Sequence, residues 1–124
     1  MEKQFVVMGA IFMFIGVAAG AFGAHGLSSY FERFPNLEPT FETAVRYHLI
    51  HGLALFVAAW AAEKWPGTFV NLSGYLFSAG ILLFSGSLYL LVLTNTRWLG
   101  AITPLGGVAF LAGWLLLVIA AVRG

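Results

Sequence analysis

The sequence predicts an all-α membrane protein, a four-helix bundle of antiparallel transmembrane helices with a short interfacial segment between the first two. Three observations predict this class. The chain of 124 residues is 60% apolar and only 9% charged, whereas about 25% of the residues in soluble domains are charged. Four long stretches carry no charge, at residues 4–31, 47–62, 65–96 and 98–122, and small charged clusters separate them. Since a helix needs roughly 20 apolar residues to cross the bilayer, we expect a single four-span domain over residues 1–124.

The first helix is predicted over residues 5–24. Glycines recur along it at helical spacing, and Gly16 and Gly20 form a GxxxG pair, with Gly23 following on the same stripe. Such glycines let a neighbouring helix approach closely, so that dispersion contacts replace the hydrophobic drive that lipid does not supply. We therefore predict a packing face within the chain rather than a homodimer seam. Small residues at 19–21 resemble a signal-peptidase site, but the long apolar run before them favours a spanning helix.

The polar segment at residues 26–39 is predicted to lie at the membrane surface. Its apolar residues Leu27, Tyr30, Phe31 and Phe34 are spaced as i, i+3, i+4 and i+7. This spacing is typical of a short amphipathic helix at the interface. Pro35 is expected to stop it, because proline lacks the backbone N–H that a helix interior needs.

The second helix is predicted from Thr40, an N-cap residue after Pro39, to residue 62. Its charge-free part is short for a span, but the helix can extend back through Arg46 and Glu42 to the membrane surface. Glu42 lies four residues before Arg46, the favourable order for an ion pair on one helix face. The turn at residues 63–67 should make the second and third helices antiparallel neighbours.

The third helix is predicted over residues 69–93, and the fourth runs to residue 122. Thr103 followed by Pro104 indicates an N-cap and a proline at the first helical position, where its missing N–H costs nothing. Both helices carry small residues at helical spacing. Across the chain, the predicted helix-packing residues are Gly16, Gly20, Gly23, Ser85, Gly86, Gly106 and Gly113.

Ionisable side chains gather toward one end of the predicted bundle, where the first and third helices end and the second and fourth begin. The candidate polar cluster at this end comprises His25, Glu42, Arg46, His48, His51 and Arg97. His51 lies one turn deeper than His48 on the same helix face. Ionisable groups at membrane depth are costly and usually face the bundle interior or a partner. The histidines could therefore lock packing as neutral imidazoles, form a proton or ligand site, or bind a metal or haem.

Composition and motifs exclude several function classes. The chain has no cysteine and no aspartate, which removes disulfides, Cys-ligated metal sites and the intramembrane aspartyl-protease dyad. A net charge of +1 offers no basic surface for nucleic acid. Ser85-Gly86-Ser87 lacks the spacing of a nucleophile elbow, and no metalloprotease or nucleotide-binding motif occurs. We therefore expect no enzyme activity, no cofactor, no metal site and no nucleic-acid partner.

The orientation follows from the positive charges that flank the spans. The side with both termini carries Lys3, Lys64 and Arg123, and the other side carries Arg33, Arg46 and Arg97. The positive-inside rule gives a tie on these counts. Discounting Arg46, as a helical residue paired with Glu42, favours cytoplasmic termini in the cell inner (plasma) membrane.

Five segments, in order along nearly the whole chain, carry a family resemblance. They are Gly20-Ala21-Phe22-Gly23-Ala24-His25-Gly26-Leu27, Thr43-Ala44-Val45-Arg46-Tyr47-His48 with His51, Leu83-Phe84-Ser85-Gly86-Ser87-Leu88-Tyr89, Ile102-Thr103-Pro104-Leu105-Gly106-Gly107, and Gly113-Trp114. Together they resemble the small membrane family called domain of unknown function 423, the YgdD-like proteins. The resemblance implies a four-span inner-membrane protein and supplies no reaction. It also places His25, His51 and the Gly–Ser segment in recurring motifs.

Three functional hypotheses remain open. The leading one is a non-catalytic accessory or assembly partner of a larger membrane complex, since the chain is small, has several small-residue faces and lacks a catalytic constellation. The first alternative is a small transporter or channel with a proton or solute site formed by His25, Glu42, Arg46 and His51. The second is a metal- or haem-binding redox protein that uses the histidines. Expected partners are the lipid bilayer and either a larger complex or further copies of the chain.

Overall fold

Four helical spans, each long and apolar enough to cross a membrane, make up the computed structural model, which describes residues 2–124. The helices are α1 (Glu2–His25), α2 (Ser28–Arg33), α3 (Glu38–Lys64), α4 (Thr68–Gly80), α5 (Gly86–Thr94) and α6 (Thr103–Arg123). Two 3-10 turns, Pro35–Leu37 and Arg97–Ala101, precede α3 and α6, and a π turn, Ile81–Ser85, joins α4 to α5. The spans are α1, α3, the α4–π–α5 unit and α6, which confirms the predicted fold class.

Two helix pairs are joined through α3. The helix α1 packs along α3, α4 packs along α6, and α3 contacts the whole α4–π–α5 unit. The largest core cluster includes Phe5, Leu55, Phe77 and Phe110, one from each span. These rings and branched chains bring the spans together through dispersion contacts, because burial from lipid supplies little hydrophobic drive.

The predicted glycine faces mostly lie against neighbouring spans. On α1, a Cβ at Gly23 would collide with the Phe41 ring of α3, and one at Gly20 would meet only Val45, at 3.5 Å. On α6, a Cβ at Gly113 would lie 2.7 Å from the Phe77 ring of α4. Gly86 is different, since its nearest neighbour outside its own turn is the Ile81 carbonyl oxygen at 3.9 Å. Gly86 therefore marks no close approach of helices.

The interfacial segment packs across one end of the bundle. Its helix, α2, ends at Arg33, just before Phe34 and Pro35. Leu27 and Phe31 are buried in a second cluster with residues of α3 and α5. The Tyr30 hydroxyl donates a 2.6 Å hydrogen bond to the Val92 carbonyl oxygen. The amphipathic face thus covers the bundle end, as its apolar spacing suggests.

Both predicted N-caps differ from the structure. The helix α3 begins at Glu38 without a side-chain cap, because the turn Pro35–Leu37 runs straight into it and Pro39 occupies its first turn. Thr40 is therefore already inside the helix. Thr103 is itself the first residue of α6, and its hydroxyl lies 2.7 Å from the Ser87 hydroxyl of α5. The Thr103 hydroxyl thus forms a hydrogen bond with another span instead of capping its own helix.

The third span is interrupted by the π turn, which the periodicity of the sequence does not predict. Phe84 in this turn touches α6 at the start of that helix, where a Cβ on Gly106 would collide with the Phe84 backbone nitrogen. The next residue, Ser85, donates a 2.7 Å hydrogen bond to the Ala44 carbonyl oxygen of α3. A π turn holds one more residue than an α-helical turn. The adjacent residues Phe84 and Ser85 can therefore contact two different helices, α6 and α3.

Candidate functional site

His48 is a buried residue in the middle of the bundle, 2% exposed. Its Nε2 lies 2.8 Å from the Phe12 carbonyl oxygen of α1, and its Nδ1 lies 2.8 Å from the Tyr89 hydroxyl of α5. A carbonyl oxygen only accepts, so Nε2 donates to Phe12. In the neutral ring Nδ1 must then accept from the Tyr89 hydroxyl. One imidazole therefore links three spans.

The access of His48 to the α1 backbone depends on Gly16. The Phe12 carbonyl is the normal helical partner of the backbone N–H four residues later, which belongs to Gly16. A Cβ at Gly16 would lie 3.3 Å from ring atoms of His48 and 2.7 Å from Leu49 Cδ2. The missing side chain leaves the Phe12 oxygen open to a second donor. This GxxxG glycine thus serves a polar contact as well as close packing.

His51 is also buried, 3% exposed, but it bonds in a different direction. Its Nδ1 lies 2.9 Å from the Tyr47 carbonyl oxygen, one turn back on α3. The Trp114 indole N–H of α6 donates to its Nε2 at 3.0 Å. The ring also stacks on Phe110 of α6, with centroids 3.6 Å apart and planes 8° from parallel.

The partners of His51 define its hydrogen-bonding state fully. The Tyr47 carbonyl can only accept, so Nδ1 carries the hydrogen, and the Trp114 indole can only donate, so Nε2 is an acceptor. A proton added at Nε2 would face the indole N–H and break that bond. In this packing His51 is a neutral connector between α3 and α6.

The six residues of the predicted polar cluster do not form one constellation. His48 faces α1 and α5, whereas His51 faces α6. The other four, His25, Glu42, Arg46 and Arg97, are exposed. Within residues 2–124, no group of three or more metal-ligating His, Asp or Glu side chains occurs.

A cavity of about 320 Å³, here called the end groove, opens between α1 and α3 beneath α2. Three charged side chains of α3 line it, namely Glu38, Glu42 and Arg46. Its remaining walls are Gly20, Gly23, Ala24, Phe31, Phe41 and Val45. The end groove therefore combines one charged helix stripe with apolar walls.

Buried serines contribute further contacts between and within the spans. Ser85 bonds to α3, and the Ser87 hydroxyl bonds both to the Phe84 carbonyl at 2.9 Å and to Thr103 of α6. Ser78 donates to the Gly74 carbonyl on its own helix, at 3.1 Å. The buried hydroxyl of Ser73 has no hydrogen-bond partner. Of the six buried polar residues in the described chain, five are thus bonded within it.

The contrast between Ser85 and Ser73 gives a stability prediction. Both side chains are fully buried, and replacement by alanine removes the same single oxygen. Ser85→Ala is expected to lower the free energy of unfolding by about 1 kcal/mol, because it removes a bond between helices. Ser73→Ala is expected to leave it unchanged or to raise it, because an unpaired buried hydroxyl is costly. Unfolding by SDS titration in mixed micelles measures both; equal losses would contradict the assignment.

Two partners of the histidines, Tyr89 and Trp114, were not predicted as site residues. Both lie in the segments that carry the family resemblance, in Leu83–Tyr89 and Gly113-Trp114. Each is an aromatic residue with one polar atom inside an apolar helix. Such residues need a hydrogen-bond partner when buried, and this signal could have paired them with the histidines.

These features define a class: a small four-span helical membrane protein in which buried imidazoles and hydroxyls tie the spans together. The chain belongs to the family described as "Protein of unknown function (DUF423)", whose sequence profile matches residues 19–107. This confirms the resemblance found in the sequence.

Relatives of nearly the same length support the membrane assignment. The UPF0382 membrane protein YwdK of Bacillus subtilis is 49% identical over 123 residues, 98% of each chain. A UPF0382 membrane protein of Staphylococcus epidermidis is 45% identical over 122 residues, 98% of this chain and 97% of its own. The UPF0382 membrane protein SAB0533 of Staphylococcus aureus is 44% identical over 118 residues, 95% of this chain and 94% of its own. No solved structure matches the chain.

Proposed function

We propose that the protein is a non-catalytic accessory or assembly subunit of a larger membrane complex. One observation carries the proposal: the polar side chains buried in the described bundle, apart from Ser73, are engaged in hydrogen bonds within the chain. Catalysis or transport through the bundle needs polar groups that are free to exchange partners. His48 and His51 instead have both ring nitrogens occupied.

The placement of the candidate residues weighs against the two alternatives. A transporter site formed by His25, Glu42, Arg46 and His51 would need these residues to face one cavity. Glu42 and Arg46 line the end groove, whereas His51 bonds to Trp114 on the far side of α3. A redox site would need the histidines to share a ligand, but His48 and His51 bond to different helices.

We further propose that the protein lies in the plasma membrane with both termini in the cytoplasm. An even number of spans places both termini on one side. Arg46 lies about two turns inside α3, whereas the other Lys and Arg residues lie at helix ends or in the turn before α6, so Arg46 counts less toward the positive charge of its side. The remaining Lys and Arg residues then favour the terminal side as the cytoplasmic one.

One fusion tests subunit role and orientation together. A fluorescent protein that matures only in the cytoplasm is attached after Gly124, and the gene is expressed at its native level. We expect fluorescent cells and, after extraction in mild detergent, elution in a particle much larger than the free fusion. The matched control is the same fusion in large excess, which should add a second peak of free protein. Elution at native level solely as a monomer or homo-oligomer would contradict the subunit role, and dark cells would contradict the orientation.

A further inference from the structure

The charged residues of the end groove lie in an order that matches one class of ligand. Glu38, Glu42 and Arg46 follow each other at intervals of four residues, so they form one stripe on α3. At 1.5 Å of rise per residue, Arg46 lies about 12 Å further along the helix axis than Glu38. Glu38 is the first residue of α3, and a charged residue at the end of a spanning helix is expected near the membrane surface. The stripe is therefore acidic at the surface and basic deeper in the membrane.

The opposite wall of the end groove supplies no charge. It is formed by the last turns of α1, at Gly20, Gly23 and Ala24. Phe31 of α2 and Val45 of α3 add apolar surface. Glu42 and Arg46 are both exposed. Within the described residues, the ion pair predicted between Glu42 and Arg46 is not formed. The guanidinium of Arg46 is therefore open to another anionic partner, and membrane arginines commonly reach toward the interface to find one.

We propose that the end groove binds the headgroup of a phospholipid that carries a phosphate and a protonated primary amine. The phosphate, which lies nearer the acyl chains, contacts Arg46, because guanidinium groups bind phosphate with two parallel hydrogen bonds. The amine, which lies nearer to water, donates to Glu42 and Glu38. The apolar walls contact the glycerol and the first acyl carbons. Two carboxylates and one guanidinium give the groove a net charge of −1, which disfavours purely anionic lipids.

Competition between lipids tests the proposal on the wild-type protein. Delipidated protein is mixed with equal amounts of phosphatidylethanolamine, phosphatidylcholine and phosphatidylglycerol with identical acyl chains, and the retained lipid is measured by mass spectrometry after gel filtration. We expect phosphatidylethanolamine to be retained about tenfold over phosphatidylglycerol, the effect of one charge-assisted hydrogen bond. Phosphatidylcholine should fall between them, because its quaternary ammonium cannot donate. Equal retention of the three lipids would overturn the proposal.

Variants then assign the contacts. Glu42→Gln should remove the preference for phosphatidylethanolamine, and Arg46→Gln should lower retention of all three lipids alike. Matched controls on the same membrane side are Glu32→Gln and Arg97→Gln, which change exposed charges on α2 and on the turn before α6. Controls that act as strongly as the groove variants would contradict the site.

A filled groove and a soluble competitor complete the test. Gly20→Leu should place a side chain in the groove, since the Cβ at this position would meet only Val45 at ordinary contact distance, and it should lower retention of every lipid. Excess glycerophosphoethanolamine, which has the headgroup without acyl chains, should not displace the lipid. Efficient displacement would mean that a soluble zwitterion, and not a lipid, occupies the groove.

Discussion

Alanine in place of Gly106 is expected to lower the free energy of unfolding by about 3 kcal/mol, the upper range for overpacking a core. The added Cβ would collide with the backbone nitrogen of Phe84 and would lie 2.6 Å from its Cβ and 2.7 Å from its Cα. Backbone atoms cannot rotate away as the end of a side chain can. The start of α6 would have to move off the π turn, which would stretch the 2.7 Å contact between Ser87 and Thr103.

The neighbouring glycine provides the control. The nearest atom of another helix to a Cβ on Gly107 would be Phe84 Cδ2, at 4.0 Å, so Gly107→Ala meets no obstacle. Alanine is also favoured over glycine within a helix by about 1 kcal/mol. Gly107→Ala should therefore leave stability unchanged or raise it. SDS-titration unfolding of both variants checks the pair, and a Gly106→Ala protein as stable as Gly107→Ala would contradict the close approach of α6 to the π turn.

His48→Ala is the second substitution with a large expected effect, a loss of about 3 kcal/mol in the free energy of unfolding. The change leaves a cavity at the centre of the bundle and removes two hydrogen bonds, to Phe12 of α1 and Tyr89 of α5. It also leaves the Tyr89 hydroxyl without its imidazole partner. Since α1 packs mainly along α3, we expect this helix to loosen first.

Tyr89→Phe separates the hydrogen bond from the cavity. It removes only the hydroxyl, so its expected loss is about 1 kcal/mol, the usual value for one hydrogen bond. In the double variant the loss should be smaller than the sum of the two single losses, because each change removes the same contact. The free energies of unfolding of the wild type, the two single variants and the double variant, measured in mixed micelles, give the coupling energy between His48 and Tyr89. Strict additivity would show that His48 and Tyr89 do not interact.

The spans could be predicted from the sequence because the bilayer imposes one strong requirement on length and hydropathy. The first helix was predicted over residues 5–24 and is observed at Glu2–His25. Its ends differ little, because the charges at Glu2 and Lys3 mark the membrane boundary at one end and Gly26 follows at the other. The interfacial helix was predicted from the spacing of four apolar residues, which reports directly on one buried face.

Features that depend on contacts between spans could not be predicted. Thr40 and Thr103 are both residue types that favour N-caps. The start of α3 at Glu38 is instead set by the preceding turn, which leads directly into the helix. The hydroxyl of Thr103 is engaged by Ser87 of a neighbouring helix. The apolar pattern does not reveal the π turn, because Ile81–Ser85 continues the apolar run of the third span.

The candidate site could be predicted only in part, because it also depends on contacts between spans. Sequence spacing located His48 and His51 on α3 at membrane depth, but i and i+3 residues diverge by about 60° around a helix. That angle is enough to direct one ring toward α1 and α5 and the other toward α6. Predicting the end groove would have required the positions of α1 and α2 relative to α3, which residue spacing in the sequence does not give.

The extra residue in the π turn changes the direction in which the side chains after it point around the third span. One residue corresponds to about 100° of rotation around an α-helix, so every side chain of α5 points a quarter-turn or more away from where an uninterrupted α4 would have placed it. If residues 81–85 instead formed a regular α-helix with no residue removed, α5 would rotate as a unit by about that angle. Ser87, Tyr89 and Val92 would then lose their partners together. The hydrogen bonds that α5 makes with its neighbours therefore stabilise the π turn against conversion to a regular helix.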